Sequence, residues 1–383
     1  MKNSRLMRFL VIMASSLLFV QCTSDPLQGP AGADGQNGLD GLDGLDGLDG
    51  SAASCIACHS DEKRAPIHLA YLSAKHGSGS SWARGTRASC AECHNNEGFI
   101  DFIETGAVDP DGYATSNPIN CNGCHDSHRS FDFENDGNDF AVRTLDEVPL
   151  RNLVDFGIDY TIDYGNASNT CANCHQPRRG APSEDPIYVD KYVQTSSHWG
   201  PHHGPQTALL EGLLGAYTTF TLVEAIPPVK DATHRTGASC IACHMRETTD
   251  GSAGHSWNPA GNNCVTCHPN TPFEELKVID DLLADWNTLG GLLENVIGQA
   301  IVEDTITGSY VPVFEMDGIT PVPTEHGIVY LEDGEWHPQP GMYDLKDAEA
   351  AWNFLYFYED KSGGVHNPDY ARAIIRNSLA AMQ

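Results

Sequence analysis

The sequence predicts a mostly α-helical chain with much irregular loop and a small β insertion in its C-terminal part. Three observations carry this expectation. Between residues 51 and 270, Gly, Pro, Asn and Ser recur between short segments, the mark of brief helices joined by frequent loops. From Phe273 through Leu276, Ile279, Leu283, Trp286, Leu289, Leu293 and Ile297, apolar residues return at three- and four-residue steps, the period of a helix with one buried face. Over 306–340, Tyr310–Phe314 and Gly327–Leu331 read as strands.

The remaining elements follow from local chemistry. Thr271-Pro272 with Glu274 reads as a capped start for the long helix, and Gly290-Gly291 as a place where it breaks. A second helix is expected over 345–358. Asn367-Pro368 caps a third, which carries Tyr370, Ile374, Ile375 and Leu379.

The N-terminus reads as an export signal over 1–21. Lys2, Arg5 and Arg8 precede an apolar run from Phe9 to Val20 that is too short to span a bilayer comfortably. Cys22 follows at once, which points to lipidation at Cys22 and a membrane anchor there. Phe19-Val20-Gln21 is a poor match to the small residue usual before such a cysteine, and simple cleavage nearby is the alternative. From Gly29 to Gly50 every third residue is glycine, ending in four Gly-Leu-Asp triplets. Collagen has that period because only glycine fits its axis, but it also needs proline, and this run holds only Pro30. Residues 22–50 therefore read as a lipid anchor and an extended stalk, about 3.1 Å long per residue, with a trimer through the Gly-x-y run as the lesser reading.

Lys and Arg number 22 against 52 Asp and Glu, a net charge of −30. Nucleic acid and anionic membrane surfaces would be repelled, so neither is expected as a partner. Solubility explains the charge in the simplest way, and docking to a basic redox protein or a cationic extracellular acceptor is the sharper reading. The acidic stretch Asp132, Glu134, Asp136 and Asp139 could bind calcium, but its spacing is not that of an EF-hand loop and a solvated loop fits better.

Cysteine arithmetic points to the chemistry. Of 13 cysteines, Cys22 belongs to the anchor and the other twelve form six pairs. They are Cys55/Cys58, Cys90/Cys93, Cys121/Cys124, Cys171/Cys174, Cys240/Cys243 and Cys264/Cys267. Each pair is followed directly by a histidine: His59, His94, His125, His175, His244 and His268. C-x-x-C-H is the signature of covalent c-type haem attachment. The two intervening residues make a tight turn that presents both sulfurs to one haem edge, and the histidine lies beneath the ring as an axial ligand to iron. A disulfide, a thioredoxin-like pair or a zinc site could explain one such motif, but not six of six behind an export signal. Six haem c groups are expected within 51–270, under 40 residues for each, so porphyrin would make up most of the core there. Residues 271–383 would then pack on that domain as a helical C-terminal region.

Eleven of the 17 histidines remain to fill the far axial positions. His128 lies only three residues after His125, too close to reach the opposite face of the same iron, so it is expected to serve a neighbour. His76, His234 and His255 are further candidates. One ligand is expected from His198, His202 and His203, with His202 favoured, while His68, His326 and His337 read as ordinary.

The segment Glu-Asp-Lys-Ser-Gly-Gly-Val-His-Asn-Pro-Asp-Tyr over 359–370 resembles the C-terminal signature of multihaem cytochromes related to pentahaem nitrite reductase and hydroxylamine oxidoreductase. The segments around His234–His244 and His255–His268 are similar to the same group. The resemblance implies that His366, in the turn between two helices, is a distal haem ligand. Two departures concern the enzymatic part of that family: there is no C-x-x-C-K motif of the kind that holds the nitrite reductase catalytic haem, and no obvious crosslinking tyrosine.

Together these features imply an electron carrier in which bis-histidine haems pass single electrons from a membrane-side donor to an outer acceptor. A reductase of a small nitrogen or sulfur oxyanion is the alternative. It would need one open iron and a basic pair to hold the anion, for which Arg178 and Arg179 are the best candidates. A stacked cytochrome filament is the third reading, against which a lipid anchor and stalk would tether each copy.

Overall fold

The structure is a computed structural model and describes residues 52–130, 135, 137–138, 140–246, 254–259, 261–265, 267–271 and 280–383. The export signal, Cys22, the Gly-x-y run, the four acidic residues of 132–139 and the first part of the expected long helix lie outside the described residues.

The conventional hydrophobic core is built mainly from the C-terminal part, joined by residues of 148–216 such as Leu150, Leu153, Ile162 and Leu209. Helices α3 (Asp280–Leu293), α4 (Leu345–Asp360) and α5 (Pro368–Met382) pack on one another. Leu282, Leu289 and Leu293 of α3 are fully buried, as are Trp352, Phe354 and Tyr356 of α4 and Ile374 and Ile375 of α5. Each such side chain contributes about 1.5–3 kcal/mol relative to exposure, which makes this cluster the main apolar anchor. The helix α3 runs unbroken through Gly290-Gly291, contrary to the expected interruption. A Cβ at Gly290 would stand 2.8 Å from the Phe354 ring, so the missing side chain admits α4 to close contact. Ile297, expected at the end of that helix, lies in a strand. Asn367 caps α5 by accepting a hydrogen bond from the Tyr370 N–H at 3.2 Å, with Pro368 in the first turn.

The C-terminal region holds more sheet than the small insertion expected at 306–340. Strands β1 (Lys191–Gln194), β2 (Ile297–Gln299), β5 (Pro323–Gly327) and β8 (Gly341–Asp344) form an antiparallel sheet in the order β1-β8-β2-β5. Two hairpins accompany it, β3 (Ile301–Glu303) with β4 (Tyr310–Pro312), and β6 (Val329–Glu332) with β7 (Glu335–Pro338). The edge strand β1 comes from the preceding region, in register Gly341 opposite Gln194 and Asp344 opposite Lys191. The two halves of the chain thus share one sheet.

The N-terminal segments are built differently. Helix α1 (Asp61–Ser73) buries none of its residues, and the apolar interior around α2 (Asn96–Thr105) is small: Ala91, Phe99 and Phe102. The cysteine motifs sit on short helical turns, such as Ala52–His59, Ala88–His94 and Cys240–His244. No helix among the described residues is long and apolar enough to cross a membrane.

Polar groups of α4 hold the loop that leads back to the motifs. The buried Glu349 carboxylate accepts from the backbone N–H of Thr218 and Thr219 at 2.9 and 3.0 Å and from both hydroxyls. The Asn353 amide pairs with both backbone groups of Ala216 at 2.8 and 2.6 Å. Glu349→Ala would leave four donors without an acceptor and is expected to cost about 3 kcal/mol or more. Chemical denaturation measures this; a loss below about 1 kcal/mol would show that the loop is held elsewhere.

Candidate functional site

A helical turn brings residues i, i+3 and i+4 to one side. In each motif this places both sulfurs and the following imidazole on a common face. The backbone N–H of His125, His175 and His268 donates to the carbonyl of the first cysteine of its motif, at 2.8, 3.0 and 2.8 Å. All twelve cysteines and all six motif histidines line one continuous cavity of about 3990 Å³.

Across that cavity each motif histidine faces a second imidazole. The ring centres of His59 and His128 are 6.2 Å apart, those of His76 and His175 6.0 Å, and those of His94 and His202 6.1 Å. His125 faces His255 at 6.2 Å, His268 faces His234 at 6.2 Å, and His244 faces His366 at 6.3 Å. The six facing partners are the six residues singled out in the sequence as distal candidates. His128 faces the first motif, not its own. Of the cluster, His202 faces His94, His203 is bonded through Nδ1 to Glu359 at 2.7 Å, and His198 is exposed. His326 and His337 pack beside Tyr330 on the β6–β7 hairpin, and His68 is exposed on α1.

The spacing fits a metal between each pair. With a bond of about 2.0 Å to each nitrogen, as in imidazole–metal sites, two coordinated rings have centres about 6 Å apart. The orphaned Nε2 of His202 agrees: it is buried and has no hydrogen-bond partner in the protein. The cavity provides about 665 Å³ for each of the six pairs, within the roughly 300–1,000 Å³ of a cofactor-sized site. Coordinating imidazoles must be neutral. Burial, reinforced by His175, pulls His76 down to about 4, and burial with His203 and Arg178 nearby pulls His202 down to about 4. Burial also lowers His94, His175 and His244.

Contacts behind the rings leave Nε2 free to point into the cavity. The Nδ1–H of His125 donates to the Phe140 carbonyl at 2.7 Å, that of His234 to the Val365 carbonyl at 2.5 Å, and that of His244 to the Trp257 carbonyl at 2.7 Å. His175 donates to Gln206 Oε1 at 3.0 Å. His366 differs, since its Nδ1 bonds the buried Asp360 carboxylate at 2.7 Å. Burial opposes a proton on His366, but the carboxylate outweighs it and the pKa of this ring is raised. Such partners behind a ligand fix its tautomer and orientation.

One turn supplies several of these contacts. Lys361, Gly363 and Gly364 take positive φ of 60°, 62° and 91°, which folds the chain sharply between α4 and α5. Glu359 then meets His203, the carbonyl of Asp360 accepts from Gln206 Nε2 at 3.2 Å, Val365 meets His234, and His366 faces His244. Asp360, Gln206 and Trp257 were not found from the sequence. Only Asp360 had a usable signal, a carboxylate six residues before His366 in the same turn. Arg178 and Arg179 line the cavity, and Arg178 donates to the Ser89 carbonyl at 3.1 Å.

No family model and no curated protein matches the chain. Among solved structures it is similar to the outer cell wall cytochrome OcwA, with a TM-score of 0.47 and 15% identity over 83% of this chain. The chain spans 50% of the length of that structure.

The Asp360 carboxylate also accepts from the Ser362 N–H at 3.2 Å and from its hydroxyl. Asp360→Ala would strand these donors together with His366 Nδ1 and is expected to cost about 2–4 kcal/mol in chemical denaturation, against about 1 kcal/mol for Asp360→Asn, which keeps an acceptor. Equal losses for the two variants would show that this oxygen does not hold the ring.

Proposed function

We propose that this chain is an exported hexahaem c-type cytochrome that passes single electrons between a membrane-side donor and an outer acceptor through bis-histidine haems. The observation that carries the reading is the set of six facing imidazole pairs, each with a C-x-x-C pair beside it, in one cavity. When bound, haem iron supplies one-electron chemistry whose potential the surrounding protein sets.

The chain's own groups would do the rest. The twelve cysteines would attach the macrocycles, and the six imidazole pairs would hold the irons. The backbone carbonyls of Phe140, Trp257 and Val365 orient three of those rings, Gln206 a fourth and the Asp360 carboxylate a fifth. Arg84 and Arg178 line the cavity near His94, where they would meet haem carboxylates. A reductase would need one iron with an open face, and a facing imidazole stands where its substrate would bind in every motif. Lipidation at Cys22 and a stalk over 22–50 complete the proposal, tethering the haem-bearing part to a membrane while the acidic surface favours a basic redox partner.

A haem assay of the purified protein is expected to give six per chain, retained through acid-acetone extraction, and the oxidised protein should show low-spin EPR signals only. Four or fewer haems, or a wild-type high-spin signal, would overturn the reading. His366→Ala should convert one haem of the six to high-spin or water-ligated iron and raise its potential while leaving attachment intact. For the anchor, Cys22→Ser should move the protein from the membrane to the soluble fraction, and a variant that still pellets with membranes would refute lipidation there.

A further inference from the structure

Trp257 touches three of the six sites at once. Its indole stands edge-to-face on His76, with ring centres 4.5 Å apart at 80°, and on His255 at 5.7 Å and 69°. Its backbone carbonyl accepts the His244 Nδ1–H at 2.7 Å. These histidines belong to the pairs His76–His175, His125–His255 and His244–His366. A tryptophan would not adopt this backbone by preference: φ is 54°, a left-handed conformation that is an outlier for a bulky side chain and persists only where its surroundings impose it. The turn is closed by the Trp257 N–H donating to the Gly254 carbonyl at 2.8 Å.

Two of the three sites also adjoin elsewhere. The His175 and His244 motifs lie side by side, and the Ile241 N–H of the second donates to the Ser168 hydroxyl at 3.2 Å. Ser168 and Ser239, beside those motifs, are hydrogen-bonded at 2.8 Å. The indole is what reaches from this neighbourhood to His255 and the third motif.

We propose that Trp257 is the positioning residue that joins these three haem sites into one junction. Its ring sets the planes of two axial imidazoles, and its backbone fixes the tautomer of a third. The proposal rests on the bis-histidine reading above. Held in this way, the three irons keep a fixed mutual geometry, and the set of six becomes a branched network with Trp257 at the branch, not six independent centres.

The ring and the backbone can be separated by mutation in the full-length, haem-loaded protein. Paramagnetic NMR of the oxidised form would resolve the haem methyl resonances, with single distal-histidine variants assigning each set. Trp257→Asn removes the indole while asparagine tolerates left-handed φ. Two sets should shift, those of the His76 and His255 sites, and the His244 set should stay. Trp257→Val cannot hold that backbone comfortably, so the carbonyl should move and the His244 set should shift as well. The sets of the His59, His94 and His268 sites should be unchanged in both variants. The proposal is overturned if Trp257→Asn leaves all six sets in place, or if its shifts extend to those three sites. Should Trp257→Val fail to fold, the asparagine variant alone decides. A wild-type protein without six low-spin haems would instead refute the bis-histidine reading, before either variant is made.

Discussion

Two imidazole rings with centres some 6 Å apart make only a weak contact, far too little to fix their planes. Each of the twelve rings must therefore be fixed from behind, and much of the structure serves to do so. Three backbone carbonyls, one amide and one carboxylate accept the Nδ1 protons of five rings. Because Gln206 and Val365 are remote in sequence from the rings they hold, His175 and His234, the segments that carry them must be rigid relative to one another. That requirement explains the division of labour between a C-terminal part with a dense apolar core and N-terminal segments with almost none.

The rigid part reaches the pairs chiefly through the turn between α4 and α5. Its position is set by apolar packing on both sides: Phe357 and Ala371 crowd the site of Gly364, and Leu282 closes it from α3. Trp286 stacks on Phe354 at 4.7 Å and ties the same helices together. Burial of large side chains is thus converted into precise placement of a few polar atoms, at a cavity where apolar packing alone could not specify an angle. The carboxylate behind His366 sets that pair apart from those backed by neutral acceptors. A charged partner strengthens the donor character of a ligand and is one of the levers that shift a metal's potential.

The parts of this site legible in the sequence are those whose chemistry is local. A thioether pair and its neighbouring histidine must lie within five residues, so all six motifs could be read directly. Distal candidates could be narrowed to particular histidines, but not matched to their partners, because nothing near His255 or His202 says which motif it faces. Gln206 and Trp257 carry no local signature at all. The same limit governs the fold: Gly290-Gly291 looks like a helix break until Phe354, some sixty residues later, is seen to need the space. Strand β1 was invisible for a similar reason, since four residues at 191–194 become a strand only by pairing with 341–344. The start and caps of α5 were local and could be read.

The order of the pairs along the chain has a consequence for how the molecule can be divided. His59 joins His128, but His76, His94 and His125 all lie inside that span and find their partners beyond it, at His175, His202 and His255. His234 and His244 open before the last of these closes, and they are completed by His268 and His366. The pairs interleave like crossed brackets, so a cut at any point from residue 59 to residue 366 severs at least one. No fragment of this stretch keeps all of its own pairs, and with haems bound as proposed a proteolytic nick would leave two pieces knit together across the cavity. Such a chain is poorly suited to growth by joining finished modules end to end. Its loops could lengthen without disturbing a pair, and elaboration would have to proceed in that way.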